Sequence, residues 1–182
     1  MIVKAGTASP EKYLLHIVMC AMIVRIFRYW LLVVHNISLP PGQFGGPYIE
    51  QFFLGELDAN QHSFFKVIAK MRVSAHCVIR RDGEVVQFVP FHLRAWHAGV
   101  SSFAGRAKCN DYSIGIELEG SDFVPYTDAQ YQALTELTQA LMERYPHITL
   151  PRITGHQYIA PLRKTDPGLV FDWRRFRAGL KS

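Results

Sequence analysis

Gly155-His156-Gln157-Tyr158-Ile159-Ala160-Pro161-Leu162-Arg163-Lys164-Thr165-Asp166-Pro167-Gly168 carries an imidazole, an ammonium and a carboxylate in one short stretch. Pro161 and Pro167 have a fixed φ, while Gly155 and Gly168 reach backbone angles that other residues avoid. The stretch therefore reads as a stiff loop, neither helix nor strand, that aims three polar side chains at one place. Lys164 and Asp166 point to the same side of an extended segment, and His156 meets Asp166 if the loop folds back. A histidine nitrogen and a carboxylate oxygen are half of a zinc shell, which in a catalytic site holds three protein ligands and a water. The plainer alternative is a surface loop with a weak Lys-Asp ion pair and a packed histidine. The third ligand and a base must come from elsewhere.

Arg152-Ile153-Thr154 is a short strand leading into that loop. Leu31-Leu32-Val33-Val34 is apolar throughout and consistent with a buried strand that stops at His35-Asn36. Ser113-Ile114-Gly115-Ile116-Glu117-Leu118 is a further strand, with Glu117 among apolar neighbours. Side by side and parallel, the three would gather His35, Glu117 and His156 on one edge, where open α/β sheets place ligands. His35, His156 and Asp166 are then the zinc ligands. Zinc lowers the pKa of bound water to about 7 and polarises a carbonyl. Glu117, outside the metal shell, is the carboxylate that takes the water's proton and passes it to a departing amine. Apolar surroundings raise its pKa and a nearby cation restrains it. Lys164 would donate to the developing oxyanion. Such an assembly is an amidase. The competing readings are a hydrogen-bonded core histidine for His35 and an arginine-paired buried carboxylate for Glu117.

The rest of the chain is the frame. Val73–Ile79 and Val85–Val89 flank Asp82-Gly83 and predict a β-hairpin. Pro47 can start a helix through about Leu54. Thr127-Asp128-Ala129-Gln130 is a capping-box start, and Tyr131, Leu134, Leu137, Leu141, Met142 and Tyr145 follow at helical spacing until Pro146. Asp172 can cap a last helix over Trp173–Leu180. His76 reads as core, His97 as either groove wall or structural, and His16, His62, His92 and His147 have no partner to name. With 182 residues, 49% hydrophobic and no internal linker, the chain is one domain with a real core. A net charge of +5, spread over scattered basic pairs, argues against nucleic-acid binding. Three cysteines without a C-x-x-C pair fit a reducing compartment. Tyr13–Val34 is long enough to span a bilayer, but Arg25 and Arg28 would be expensive there, and no cleavage site follows a clean apolar core. A buried or amphipathic element running into a strand is expected instead.

His35–Gly42, Ser74–Cys77, Arg94–Gly99, Cys109–Asp111, Ser113–Gly120 and Arg163–Gly168 together resemble the AmpD family, the cytoplasmic 1,6-anhydro-N-acetylmuramoyl-L-alanine amidases of cell-wall recycling. The resemblance runs from about Leu31 to about Leu180. It implies a single α/β domain with a mixed central sheet flanked by helices, as in T7 lysozyme and peptidoglycan recognition proteins. It also implies one zinc ion on His35, His156 and Asp166, catalysis by Glu117 and Lys164, and substrate contacts at Asn36, Arg72, Lys108 and Ala160. The implied substrate is a small anhydro-muropeptide, acted on by a cytoplasmic monomer without stable membrane association. Lys108 stands where the family usually has arginine, and ammonium lacks the bidentate fork. Gln157-Tyr158 also departs from the family's usual pair. Related proteins lacking part of the zinc set bind peptidoglycan without cutting it, but here the set is complete. Residues 1–30 form an atypical apolar segment ahead of a 31–182 amidase domain, where the family has a polar segment. Codons for Leu15–Ala21 read two nucleotides on can spell Ala-His-Cys-Asp-Val-Arg, so a frameshift is one origin, which nucleotide sequencing decides.

Overall fold

The apolar run before His35 becomes the centre of the sheet. In the computed structural model, which describes residues 3–5 and 29–181, strand β2 (Leu31–Ile37) pairs in parallel with β7 (Ser113–Glu119) on one side and β8 (Ile153–Gly155) on the other. The three strands expected to lie parallel do so. Beyond β7, β3 (Cys77–Ile79) is parallel to it, then β4 (Val85–Gln87) and β1 (Val3–Ala5) each pair antiparallel, giving the order β1-β4-β3-β7-β2-β8. The sheet is therefore mixed. A separate ribbon joins β5 (Ser102–Phe103) to β6 (Arg106–Ala107).

Side-chain alternation divides the strands between two environments. Leu32, Val34, Ile114, Ile116, Leu118, Cys77 and Ile79 bury one face against Leu134, Leu137 and Leu141 of helix α3 (Asp128–Arg144) and Phe176 of α5 (Trp173–Gly179). The α3 start follows from its sequence: Thr127 Oγ1 accepts from Gln130 N at 3.1 Å, and Gln130 Oε1 accepts from Thr127 N at 3.2 Å. Asp172 caps α5 by accepting from Arg175 N. Val78, on the opposite side, packs with Ile49 and Phe52 of α1 (Tyr48–Leu54) and Phe65 and Ile68 of α2 (Phe65–Ile68). Leu31 and Val33 share that second face with His35, and their register partners Ser113, Gly115 and Glu117 lie beside them. One pleated surface thus runs from apolar to ionisable toward the strand ends.

The hairpin forms but is shorter than its sequence run. Val73–Ala75 leave the ladder, with Ser74 N donating to Trp96 O, while His76 stays tied to both neighbours: its N donates to Gly115 O and its O accepts from Phe88 N and Val89 N. Of the oily amino-terminal stretch only its end is described. Tyr29 is buried and donates to Leu93 O at 2.6 Å, and Trp30 stacks on Tyr112 with ring centroids 4.6 Å apart. The expected element over Tyr13–Val34 and the reading-frame question fall mainly on residues 6–28, outside the described residues. Among the described residues no helix is long and apolar enough to cross a membrane.

His76 is core, as read. Its Nδ1 accepts from Gly115 N and its Nε2–H donates to Leu93 O, each at 3.0 Å, and burial pushes its pKa down to about 4. The unfolded chain binds this proton below about pH 6.5 while the native state refuses it until about pH 4, so stability falls as pH falls through that window. The loss is on the order of 3 kcal/mol. His76→Gln can keep both hydrogen bonds without titrating. Urea unfolding from pH 7 to 4 should then show a pH slope shallower by about one proton; an unchanged slope would contradict this.

Candidate metal centre and active site

His35 projects near the end of β2, and His156 opens a short helix, α4 (His156–Ile159), directly after β8. The loop reading of Gly155–Gly168 is corrected here: Gly155 ends a strand and the next residues make one helical turn. The chain then doubles back. Arg163 N and Lys164 N both donate to Ala160 O, and Gln157 N donates to Asp166 O at 2.9 Å, which fastens Asp166 beside His156. Gly155 is required by this return, since a Cβ there would sit 2.8 Å from Pro167 Cδ and 3.1 Å from Trp173.

The result is a triangle. His35 Nδ1 lies 3.0 Å from His156 Nδ1, and Asp166 Oδ2 lies 3.1 Å from the first and 3.0 Å from the second. It is a group of three that could hold a metal ion. Tetrahedral zinc ligands at 2.0–2.2 Å would be about 3.3 Å apart, so the triangle has nearly the span that zinc requires. The outer nitrogens are also held: His35 Nε2 is 2.8 Å from His97 Nδ1, and His156 Nε2 is 3.1 Å from Ala98 O. Burial pushes His35 down to about 4 against the pull of Asp166, which keeps it neutral, as a ligand must be.

Glu117 is the register partner of His35 across β2 and β7. Its Oε2 is buried with no hydrogen-bond partner among the described residues. Burial, then the charge of Asp166, push its pKa well above the ordinary carboxylate value, and Lys164 opposes them. The arginine-paired alternative belongs instead to Glu119, whose Oε1 lies 3.7 Å from Arg80 Nη1 and whose Oε2 accepts from Arg81 N. His35, Glu117, His156, Lys164 and Asp166 line one end of a cavity of about 340 Å³, and Phe52, Phe53, Phe64, Ile68, Met71 and Trp96 line an apolar wall. Asn36 lines it too and donates to Asp122 Oδ1 at 2.8 Å. Arg72, Lys108 and Ala160 are not among its lining residues; the first two are exposed and Ala160 is buried at the C-cap of α4. Tyr158 is exposed, its ring 6.2 Å from that of Trp173. His97 joins the site. The sequence left its role open because adjacency to Trp96 says nothing about which strand its ring covers.

An α/β domain with a His-His-Asp triangle at the end of its sheet, beside an unpartnered carboxylate and a lysine, has the composition of a hydrolase site. The chain belongs to the N-acetylmuramoyl-L-alanine amidase family, Amidase_2, which it matches over residues 28–169. Within that family it is 67% identical over 148 residues to the 1,6-anhydro-N-acetylmuramyl-L-alanine amidase AmpD of Citrobacter freundii, covering 81% of this chain and 79% of the relative. A crystal structure of a selenomethionine AmpD derivative superposes with a TM-score of 0.83 at 64% identity, over 85% of this chain and 86% of that one. The fold also matches AmpDh3 of Pseudomonas aeruginosa in complex with anhydromuramic pentapeptide, at TM-score 0.66 and 28% identity, over 84% of this chain and 60% of that one.

Proposed function

We propose that the chain is a zinc-dependent amidase that hydrolyses the bond between the lactyl group of 1,6-anhydro-N-acetylmuramic acid and L-alanine of the stem peptide. The observation that carries this reading is the triangle of His35 Nδ1, His156 Nδ1 and Asp166 Oδ2, closed at 3.0–3.1 Å. These three residues would hold the ion. When bound, zinc supplies a Lewis acid that acidifies water and polarises the scissile carbonyl. Glu117 takes a proton from the attacking water as its oxygen bonds to the carbonyl carbon. The Lys164 ammonium donates to the oxygen on which negative charge then develops. Glu117 returns the proton to the alanine nitrogen as the C–N bond breaks, leaving a lactyl carboxylate and a free peptide amine. The raised pKa of Glu117 suits both transfers.

The names of the relatives support the anhydro-sugar assignment, and the apolar wall of the cavity suits a ring with a fused anhydro bridge. Asn36, which lines the cavity, is assigned to a sugar or peptide contact, while the same assignment for Arg72, Lys108 and Ala160 rests on the family resemblance alone, since none of them lines the cavity. One chain supplies every group, in keeping with a monomer; the cytoplasmic assignment rests on the family resemblance. The amidase domain is taken as residues 31–182 and 1–30 as an atypical leading segment, in keeping with a family match that begins at residue 28, although β1 (Val3–Ala5) adds an edge strand to the same sheet and Tyr29 is buried in the domain. The test is product analysis on an anhydro-muropeptide: intact stem peptide with a free alanine amine, and the anhydro-sugar acid, are expected. Cleavage at another bond, or none, would overturn the assignment.

Lys164 carries a prediction of its own. Lys164→Met should lower kcat by roughly 10²–10³-fold, the usual loss for an oxyanion donor. It also removes the charge that restrains Glu117. A base works only when ionised, so activity rises with pH through its pKa, and the acid limb should move to higher pH in the variant. A limb that stays in place would separate Lys164 from Glu117.

A further inference from the structure

One histidine of the triangle stands on β2 and the other directly follows β8, its parallel neighbour, yet their outward nitrogens meet adjacent residues of one loop. His35 Nε2 faces His97 Nδ1 at 2.8 Å, and His156 Nε2 faces Ala98 O at 3.1 Å. The protons in this network can be assigned in order. Ser113 Oγ donates its one hydrogen to Cys109 O at 2.6 Å, so toward His97 Nε2, 3.2 Å away, it can only accept. His97 therefore carries its proton on Nε2 and presents a bare Nδ1. His35 must then donate from Nε2, which leaves its Nδ1 lone pair facing Asp166 and His156. A carbonyl can only accept, so Ala98 O fixes the same choice in His156. Both imidazoles are left as Nε2–H tautomers with Nδ1 lone pairs turned inward.

The loop is held for this task. Asn110, buried, accepts from both His97 N (3.1 Å) and Ala98 N (2.8 Å) through a single Oδ1. Arg163 Nη2 donates to Ala98 O at 2.8 Å, which aims that carbonyl. Gly115 leaves space for the His97 ring over the sheet, since a Cβ there would fall 2.3 Å from His97 Cγ. We propose that the dipeptide His97–Ala98, clamped by Asn110 and set by Ser113, is the positioning element of the metal centre, dictating which nitrogen both histidine ligands offer to the ion. His97 acts through His35 and is a positioning residue, not a catalytic one. The inference rests on the zinc reading above and adds how the ligands are prepared before metal arrives.

The test is zinc affinity by chelator competition, with tautomers read from imidazole ¹⁵N shifts. His97→Phe keeps a ring over Gly115 but offers no acceptor. Its zinc affinity should fall 10–100-fold, the usual loss for an outer partner of a ligand. His97→Gln, whose amide oxygen can accept from His35, should recover most of it. In the zinc-free wild type, His35 and His156 should both show Nε2–H, and Ser113→Ala should admit an Nδ1–H population at His35. This second measurement stands if His97→Phe fails to fold. A wild type that binds no zinc would refute the metal reading itself. A zinc-binding wild type whose His97→Phe variant binds equally well, or whose zinc-free His35 carries its proton on Nδ1, would overturn the positioning role.

Discussion

Glu117→Ala should lose roughly 10²–10⁴-fold in turnover of an anhydro-muropeptide, the range expected for removal of a general acid–base group, and keep its zinc. Three observations set that expectation. Glu117 stands opposite His35 in the β2–β7 register, so it is beside the triangle without being one of its corners. Its Oε2 is buried and has no hydrogen-bond partner among the described residues, which leaves it for a water or substrate. Its pKa is pushed up by burial and by Asp166, so the proton it takes can be handed on. Glu117 Oε2 has no hydrogen-bond partner among the described residues to be orphaned by the substitution, so folding should suffer little. Measuring kcat together with metal content is decisive, since a loss of zinc would make Glu117 a structural support, and unchanged turnover would remove it from the chemistry.

Asp166→Ala should act on the other half of the account, abolishing metal binding rather than sparing it. Asp166 Oδ2 lies 3.1 and 3.0 Å from the two histidine nitrogens and is the only anion of the triangle. Without it two neutral imidazoles remain, and the affinity should drop by more than about 100-fold, given that losing a mere outer partner costs 10–100-fold. Activity should vanish at ordinary zinc concentrations and return in part at high zinc. The loop need not collapse, because the tie from Gln157 N goes to the backbone oxygen of Asp166 and survives the substitution. Isothermal titration with zinc checks it: wild-type affinity in the variant would exclude Asp166 from the metal shell.

The strands, caps and ligand set were legible because each rests on local rules. Leu31–Val34 and Ile114–Ile116 are apolar runs with a polar residue at the end, and parallel pairing then brings those ends together whatever fills the connections. Thr127 with Gln130, and Asp172 before Trp173, announce helix starts through side chains that satisfy nearby backbone groups. What the sequence concealed depends on long-range contact. In sequence α4 reads as loop because prolines and glycines dominate its neighbourhood, while its single turn follows from β8 ending at Gly155. The departure of Val73–Ala75 from the hairpin goes with a hydrogen bond from Ser74 N to Trp96 O that no local pattern encodes. His97 was ambiguous for the same reason. The clue nearest to hand was Gly115, a residue without a side chain inside an apolar strand, where something else must come close.

The most direct test of the zinc-centred account is metal analysis coupled to turnover on one preparation. One zinc per chain is predicted, with activity lost on chelation in proportion to the metal removed and restored by one equivalent of added zinc. Full turnover by a verified metal-free protein would contradict it.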